Sequence, residues 1–178
     1  LGISEIVDGK LFERVHPCLV NKDSYIGNVN GVMNAVITEG EPVGESVLQG
    51  EGAGPGPTSS ALMSDLLSIL RGNIKFPFGI PNIKRKSIKV FNYDNYINSL
   101  YLRFEVKDKP GVLAQITNRL ALKNISVERL IQIPNYKNKT ASIVIITHKS
   151  KELDAQHCIN AISKSKNILK YPTLIRLL

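Results

Sequence analysis

Residues 103–116 read Arg103-Phe104-Glu105-Val106-Lys107-Asp108-Lys109-Pro110-Gly111-Val112-Leu113-Ala114-Gln115-Ile116, and two periodicities meet inside them. Leu102, Phe104 and Val106 alternate with Arg103, Glu105 and Lys107, the period of two that turns one face of a strand toward a core. From Val112 onward, Leu113, Ile116, Thr117 and Leu120 recur three and four positions apart, which places them on one face of a helix. Asp108-Lys109-Pro110-Gly111 lies between. Proline fixes its own φ and glycine admits a left-handed backbone, so these four residues form a turn. The stretch is therefore strand, turn, helix.

Working outward, Ser126 to Ile133 and Ala141 to Thr147 are rich in strand formers, and the polar Asn135-Tyr136-Lys137-Asn138-Lys139 between them suits a hairpin loop. Ala155, Cys158, Ile159 and Ile162 mark a second helix, and Thr173 to Leu178 a last strand. The order is βαββαβ, the ferredoxin-like arrangement with two helices on one face of an antiparallel sheet. The strand followed by Asp-x-Pro-Gly-Val-Leu resembles the ACT domain, a small regulatory module that binds amino acids. Backbone N–H groups of Gly111, Val112 and Leu113 at a helix start can receive a carboxylate, and Asp108 can pair with an ammonium. Turn and capping chemistry accounts for Asp108 and Gly111 equally well, so both readings stand. The resemblance adds Gln132, with Ile131 and Ile133, on the second strand, because ACT ligands commonly sit where two modules meet. It implies homo-oligomers formed through ACT domains.

The chain has 178 residues, with 23 Lys and Arg against 15 Asp and Glu, a net charge of +8. The charge is unevenly placed. Residues 1–72 sum to −5, residues 73–100 to +4 and residues 101–178 to +9, which divides the chain into an acidic part, a basic connector broken by Pro77, Gly79 and Pro81, and a basic part. Hydrophobic residues make up 43% with no Trp, so burial rests on Ile, Leu and Val. The expected class is α+β. A basic ferredoxin-like unit raises RNA binding, but Leu130-Ile131-Gln132 and Ile143-Val144-Ile145 offer aliphatic residues where bases need aromatic faces. No nucleic-acid partner is expected. No apolar run is long enough to span a bilayer and no leader pattern opens the chain, so neither membrane nor secretion is expected. Cys18 and Cys158 lie far apart without a C-x-x-C pattern, which fits a reducing cytoplasmic setting.

In the acidic part, Phe12 to Val20, Val32 to Thr38 and Glu45 to Gln49 read as strands, the last two as an antiparallel pair across a turn-rich connection. Then comes Gly50-Glu51-Gly52-Ala53-Gly54-Pro55-Gly56-Pro57-Thr58, followed by Ala61, Leu62, Asp65, Leu66, Ile69 and Leu70 at helical spacing. Closely spaced glycines let backbone approach a ligand, and free N–H groups at a helix start attract anions. Neither G-x-G-x-x-G nor the P-loop pattern is satisfied. A plain tight connection with Thr58 as N-cap is the other reading.

Asp23-Ser24, Asn28-Val29-Asn30-Gly31-Val32-Met33-Asn34-Ala35, Glu39-Gly40-Glu41-Pro42-Val43-Gly44 and the glycine loop with Pro57-Thr58-Ser59-Ser60-Ala61 together resemble the C-terminal half of bacterial homoserine dehydrogenase. Arg14-Val15-His16-Pro17-Cys18-Leu19-Val20 and Phe78-Gly79-Ile80-Pro81 fit the same family. The resemblance implies a remnant of a mixed-sheet substrate domain over 1–72, a linker over 73–98 and an ACT domain over 99–178. It also implies that the loop reaches toward the nicotinamide side of NAD or NADP, with Gly54 the first cofactor contact and Gly52 and Ala53 next, and that the following helix packs on a dinucleotide-binding domain. The intact enzyme would interconvert L-homoserine and L-aspartate 4-semialdehyde on the route to threonine, methionine and isoleucine, with threonine as effector.

A chain opening on Leu1-Gly2-Ile3-Ser4 reads as part of something longer. The dinucleotide-binding domain, catalytic lysine and substrate-binding carboxylates of the family have no matching segment here, so no catalytic residue is assigned and the chain alone is expected to be inactive. Lys10 and Lys22 read as surface residues, and Glu39, Glu41 and Glu45 as a turn-side acidic cluster. His16, His148 and His157 have no clustered partners, so no metal site is expected. Cys158 falls on an apolar helix face and reads as core.

Overall fold

The computed structural model describes residues 1–73 and 79–178. In chain order its elements are β1 (Gly2–Val7), β2 (Lys10–Val15), β3 (Cys18–Leu19), β4 (Met33–Gly40), β5 (Gly44–Glu51), α1 (Pro55–Leu70), β6 (Ile97–Asn98), β7 (Leu100–Lys107), α2 (Val112–Ala121), β8 (Val127–Asn135), β9 (Thr140–Thr147), β10 (Ser150–Lys151), α3 (Glu152–Ser163) and β11 (Thr173–Leu177). They form two compact units, one of Leu1–Leu19 with Ile88–Leu178 and one of Val20–Ser87.

The larger unit is built on a five-stranded sheet ordered β3-β11-β7-β9-β8. Its last four strands, with α2 and α3, are the expected βαββαβ arrangement, and all their pairings are antiparallel. Leu102, Phe104 and Val106 on β7 stand opposite Ile145, Ile143 and Ala141 on β9, and all six are buried. Val112, Ile116 and Leu120 of α2 and Ala155, Cys158, Ile159 and Ile162 of α3 close over this face as one apolar cluster. The alternation in β7 and the four-residue spacing in α2 thus meet in the same core. The Cys158 thiol donates to Arg119 O at 3.2 Å, joining α3 to α2, and burial pushes that thiol up from its ordinary value.

β3 is an addition to the ferredoxin-like sheet. It runs parallel to β11, with Cys18 opposite Arg176 and Leu19 opposite Leu177, and Leu178 N donates to Leu19 O. The expected strand from Phe12 to Val20 is therefore broken. Lys10–Val15 pairs with β1, the chain turns at His16-Pro17, where proline has no N–H to give a ladder, and residues 18–19 pair elsewhere. β1 was not expected from its composition. It forms a hairpin with β2 across Asp8-Gly9, both at positive φ, the two-residue turn that matches strand twist.

In the smaller unit β4 and β5 pair from Met33 opposite Glu51 to Gly40 opposite Gly44, extending the expected pair at both ends. The helix after them starts earlier than a Thr58 cap would place it: Gly54 is the N-cap, and Thr58 N donates to Gly54 O one turn inside. No residue of α1 is buried, and Leu62, Leu66, Ile69 and Leu70 are exposed.

The compact units differ from the expected division at 72 and 98. Residues 1–19 join the ACT-type part because Phe12 is 2% exposed among Phe91, Tyr93 and Tyr96, and because β3 completes its sheet. In the expected connector, Lys75, Pro77 and Phe78 lie outside the described residues. Among those described, no helix is long and apolar enough to cross a membrane.

Candidate functional site

The turn between β7 and α2 and the facing part of β8 enclose a cleft of about 370 Å³ lined by Val106, Lys107, Asp108, Lys109, Pro110, Gly111, Val112, Leu113, Gln132 and Ile143. All five residues expected to hold a regulatory ligand, Asp108, Gly111, Val112, Leu113 and Gln132, are in it. Buried Val106, Val112 and Ile143 give it an apolar floor. Asp108 N is tied to Lys139 O at 3.0 Å, which anchors the turn on the β8–β9 hairpin.

Gly111 is the N-cap of α2 with φ +84°, a backbone that disfavours any side chain. Val112 N donates back to Lys109 O at 3.3 Å, so of the expected donors that one is used within the turn. Among the described residues, no backbone acceptor is found for the N–H groups of Leu113 and Ala114, in the first turn of α2. Gln132 Nε2 donates to Asp108 Oδ1 at 3.4 Å. That contact leaves Asp108 Oδ2 and Gln132 Oε1 as acceptors on the cleft wall. Donors of a helix start, a carboxylate and an amide thus converge over an apolar floor, with Lys107 and Lys109 at the rim. The arrangement suits a small zwitterion with an aliphatic side chain.

A wider hollow of about 520 Å³ lies on the other face of the sheet, around Arg103, Glu105, Tyr136 and Ser142. Of its two cationic residues, Arg103 and Lys137, the first is already engaged: Arg103 pairs with Glu105 at 2.7 Å and donates from Nε to Ser142 Oγ at 3.1 Å.

The glycine loop has a different character. A side chain at Gly52 would fall on the Asn34 amide, so the loop packs against β4 at that point. Gly54 has φ +126°, open to glycine and strained for other residues. Pro55 and Pro57 occupy the first turn of α1 and carry no N–H, so the start of this helix is poor in the donors that make an anion site. Ala53, Gly54 and Gly56 keep theirs. The loop keeps the close backbone approach expected of it, with fewer N–H donors at the helix start than an all-glycine loop would offer.

Lys10, Lys22, Glu39, Glu41 and Glu45 are all exposed, and Glu39 faces Glu45 across the β4–β5 ladder. His148 and His157 are exposed. His16 is half-buried, with Nδ1 3.0 Å from Pro17 O and 3.2 Å from Cys18 Sγ; burial, with Arg176 and Arg14 nearby, lowers its pKa. Among the described residues no three His, Cys, Asp or Glu are grouped to hold a metal ion.

One cluster went unread in the sequence. Glu152, 1% exposed, accepts from Arg176 through both carboxylate oxygens, from Asn98 Nδ2 at 2.9 Å and from Gln156 Nε2 at 3.2 Å. Burial alone would raise its pKa, but these donors hold the carboxyl below its ordinary value. Glu at the first residue of a helix and Gln156 one turn on are the local signal; Asn98 and Arg176 come from distant segments.

Comparison with known proteins covers both parts of the chain. Residues 3–67 match the family model described as homoserine dehydrogenase and residues 100–166 the model of the ACT domain. A curated homoserine dehydrogenase of Neisseria gonorrhoeae is 36% identical over 99% of this chain and 42% of its own length. One from Synechocystis is 33% identical over 93% of this chain and 39% of its length. The crystal structure of a homoserine dehydrogenase from Thiobacillus denitrificans superposes with a TM-score of 0.85 at 30% identity, covering 99% of this chain and 41% of that one. The chain spans about two fifths of the length of these relatives. It belongs to the homoserine dehydrogenase family, with the part that matches that family's model followed by an ACT domain.

Proposed function

We propose that the larger protein to which these two parts correspond is a cytoplasmic homoserine dehydrogenase, and that the cleft between β7, α2 and β8 is its regulatory site, taking L-threonine. The observation that carries this reading is the placement of the Leu113 N–H group, Asp108 and Gln132 in one cleft over an apolar floor. The effector carboxylate meets the N–H groups, its ammonium meets Asp108 Oδ2, and its hydroxyl finds an acceptor in Gln132 Oε1.

A nicotinamide cofactor, NAD or NADP, supplies the hydride chemistry that interconverts homoserine and aspartate 4-semialdehyde when bound. This chain's share is the backbone of Gly52, Ala53 and Gly54, a wall bearing no side chain larger than a methyl group, which the nicotinamide ring can approach closely. The exposed apolar residues of α1 are the surface that receives the dinucleotide-binding domain.

Homo-oligomers form through β8. That strand is an outer strand of the sheet, nine residues long, with Ile131 and Ile133 exposed, the state in which a sheet adds strands. The opposite edge of the ferredoxin-like sheet is covered by β3.

Isothermal calorimetry with L-threonine on the wild-type chain and on Asp108→Ala tests the regulatory assignment. Saturable heat from the wild type is expected, with affinity at least about tenfold weaker in the variant, the size of one lost charge-assisted hydrogen bond. Equal affinities would remove the role of Asp108, and no heat from the wild type would remove threonine as effector.

A further inference from the structure

The contacts that fasten residues 1–19 to the ferredoxin-like module lie outside the cleft and the glycine loop, and they form one continuous chain of packing. It begins at Glu152, whose carboxylate is held by Arg176, Asn98 and Gln156 and whose N–H donates to Tyr96 O at 2.9 Å. The Arg176 guanidinium lies over the Tyr93 ring, 5.5 Å from its centroid. Tyr96 stacks on Phe12 of β2 with centroids 4.2 Å apart, and Arg14 covers the Tyr96 ring at 4.1 Å while pairing with Glu5 of β1 at 3.3 Å. Tyr93, Tyr96, Asn98 and Arg176 fall outside both 3–67 and 100–166.

Two backbone links complete the fastening. Leu11 N donates to Lys89 O at 2.9 Å and Phe91 N to Leu11 O at 2.8 Å, while Leu178 N donates to Leu19 O at 3.0 Å. The chain leaves for the 20–87 unit just after Leu19 and returns just before Lys89.

We propose that residues 1–19 are a clasp of the ACT-type module, locked by Glu152–Arg176 and the Phe12–Tyr96–Arg14 stack, which holds both chain connections of the 20–87 unit on one body. The 20–87 unit is then an insertion gripped at its two ends, and the segment that shares a family model with the glycine loop belongs mechanically to the regulatory module. The clasp does not depend on what the cleft binds.

Amide hydrogen exchange on the full chain tests this, comparing wild type with the double variant Glu152→Gln/Arg176→Met and, separately, with Arg14→Met, which leaves Glu152 and Arg176 in place. The amides of Leu11, Phe91 and Leu178 are expected to exchange about tenfold faster or more in both variants, while those at the centre of β7 and β9 stay within about twofold. Three results overturn the clasp: no acceleration at Leu11, Phe91 and Leu178; equal acceleration across the whole module; or exchange of those three amides at unstructured rates in the wild type.

Discussion

A buried carboxylate is tolerated only when its lone pairs are occupied, and Glu152 meets that condition through three side chains from three segments. Removing Arg176 alone strands the charge and should cost about 3–5 kcal/mol, whereas Glu152→Gln leaves a neutral group that still accepts hydrogen bonds. The pH dependence has a definite sign. The folded carboxyl lies below its ordinary value, so its contribution is complete above the unfolded value of about 4.3 and fades as pH falls through the lower folded value. Chemical denaturation of wild type and Glu152→Gln should give a constant stability gap at neutral pH that closes below about pH 4. A gap unchanged under acid would mean that the carboxylate charge contributes nothing. At this scale the cleft was legible, since Asp108, Gly111, Val112 and Leu113 are neighbours in sequence and turn chemistry is local. The Glu152 cluster was not, because Asn98 and Arg176 are brought to it only by the tertiary fold.

Among the elements, long periodic segments were read correctly, and the misses have physical causes. β7 and α2 announce themselves because alternation and helical spacing each persist over several residues. β3 is two residues long and pairs in parallel with the last strand of the chain, so no local pattern marks it. β1 carried a usable signal in Asp8-Gly9, the dipeptide of a tight hairpin. α1 began early because prolines, which interrupt a helix interior, are accommodated in its first turn. The edge strand β8 carries a prediction of its own. Exposed Ile131 and Ile133 on an unpaired edge should form the contact between copies, so Ile131→Lys should shift the chain from dimer to monomer in sedimentation equilibrium. An unchanged mass for the variant, or a monomeric wild type, would place self-association elsewhere or remove it.

Across the whole molecule, the division by charge along the chain and the division by packing do not coincide. The unit of 1–19 with 88–178 has 17 basic residues against nine acidic, and the 20–87 unit has six of each. The whole net charge of +8 therefore belongs to the ACT-type module and its clasp, although residues 1–72 sum to −5. Segment boundaries followed composition; the units follow Phe12, β3 and the ion pair, which composition cannot see. The regulatory reading stands on an amino-acid site at the start of α2 in this module. The most direct measurement is solution NMR of the isotope-labelled chain titrated with L-threonine. Saturable shifts are predicted for the Gly111, Leu113 and Ala114 amides and the Gln132 side-chain amide, with the glycine-loop amides of residues 52–54 unmoved. Absence of saturable shifts at the start of α2, or shifts confined to other parts of the chain, would contradict it.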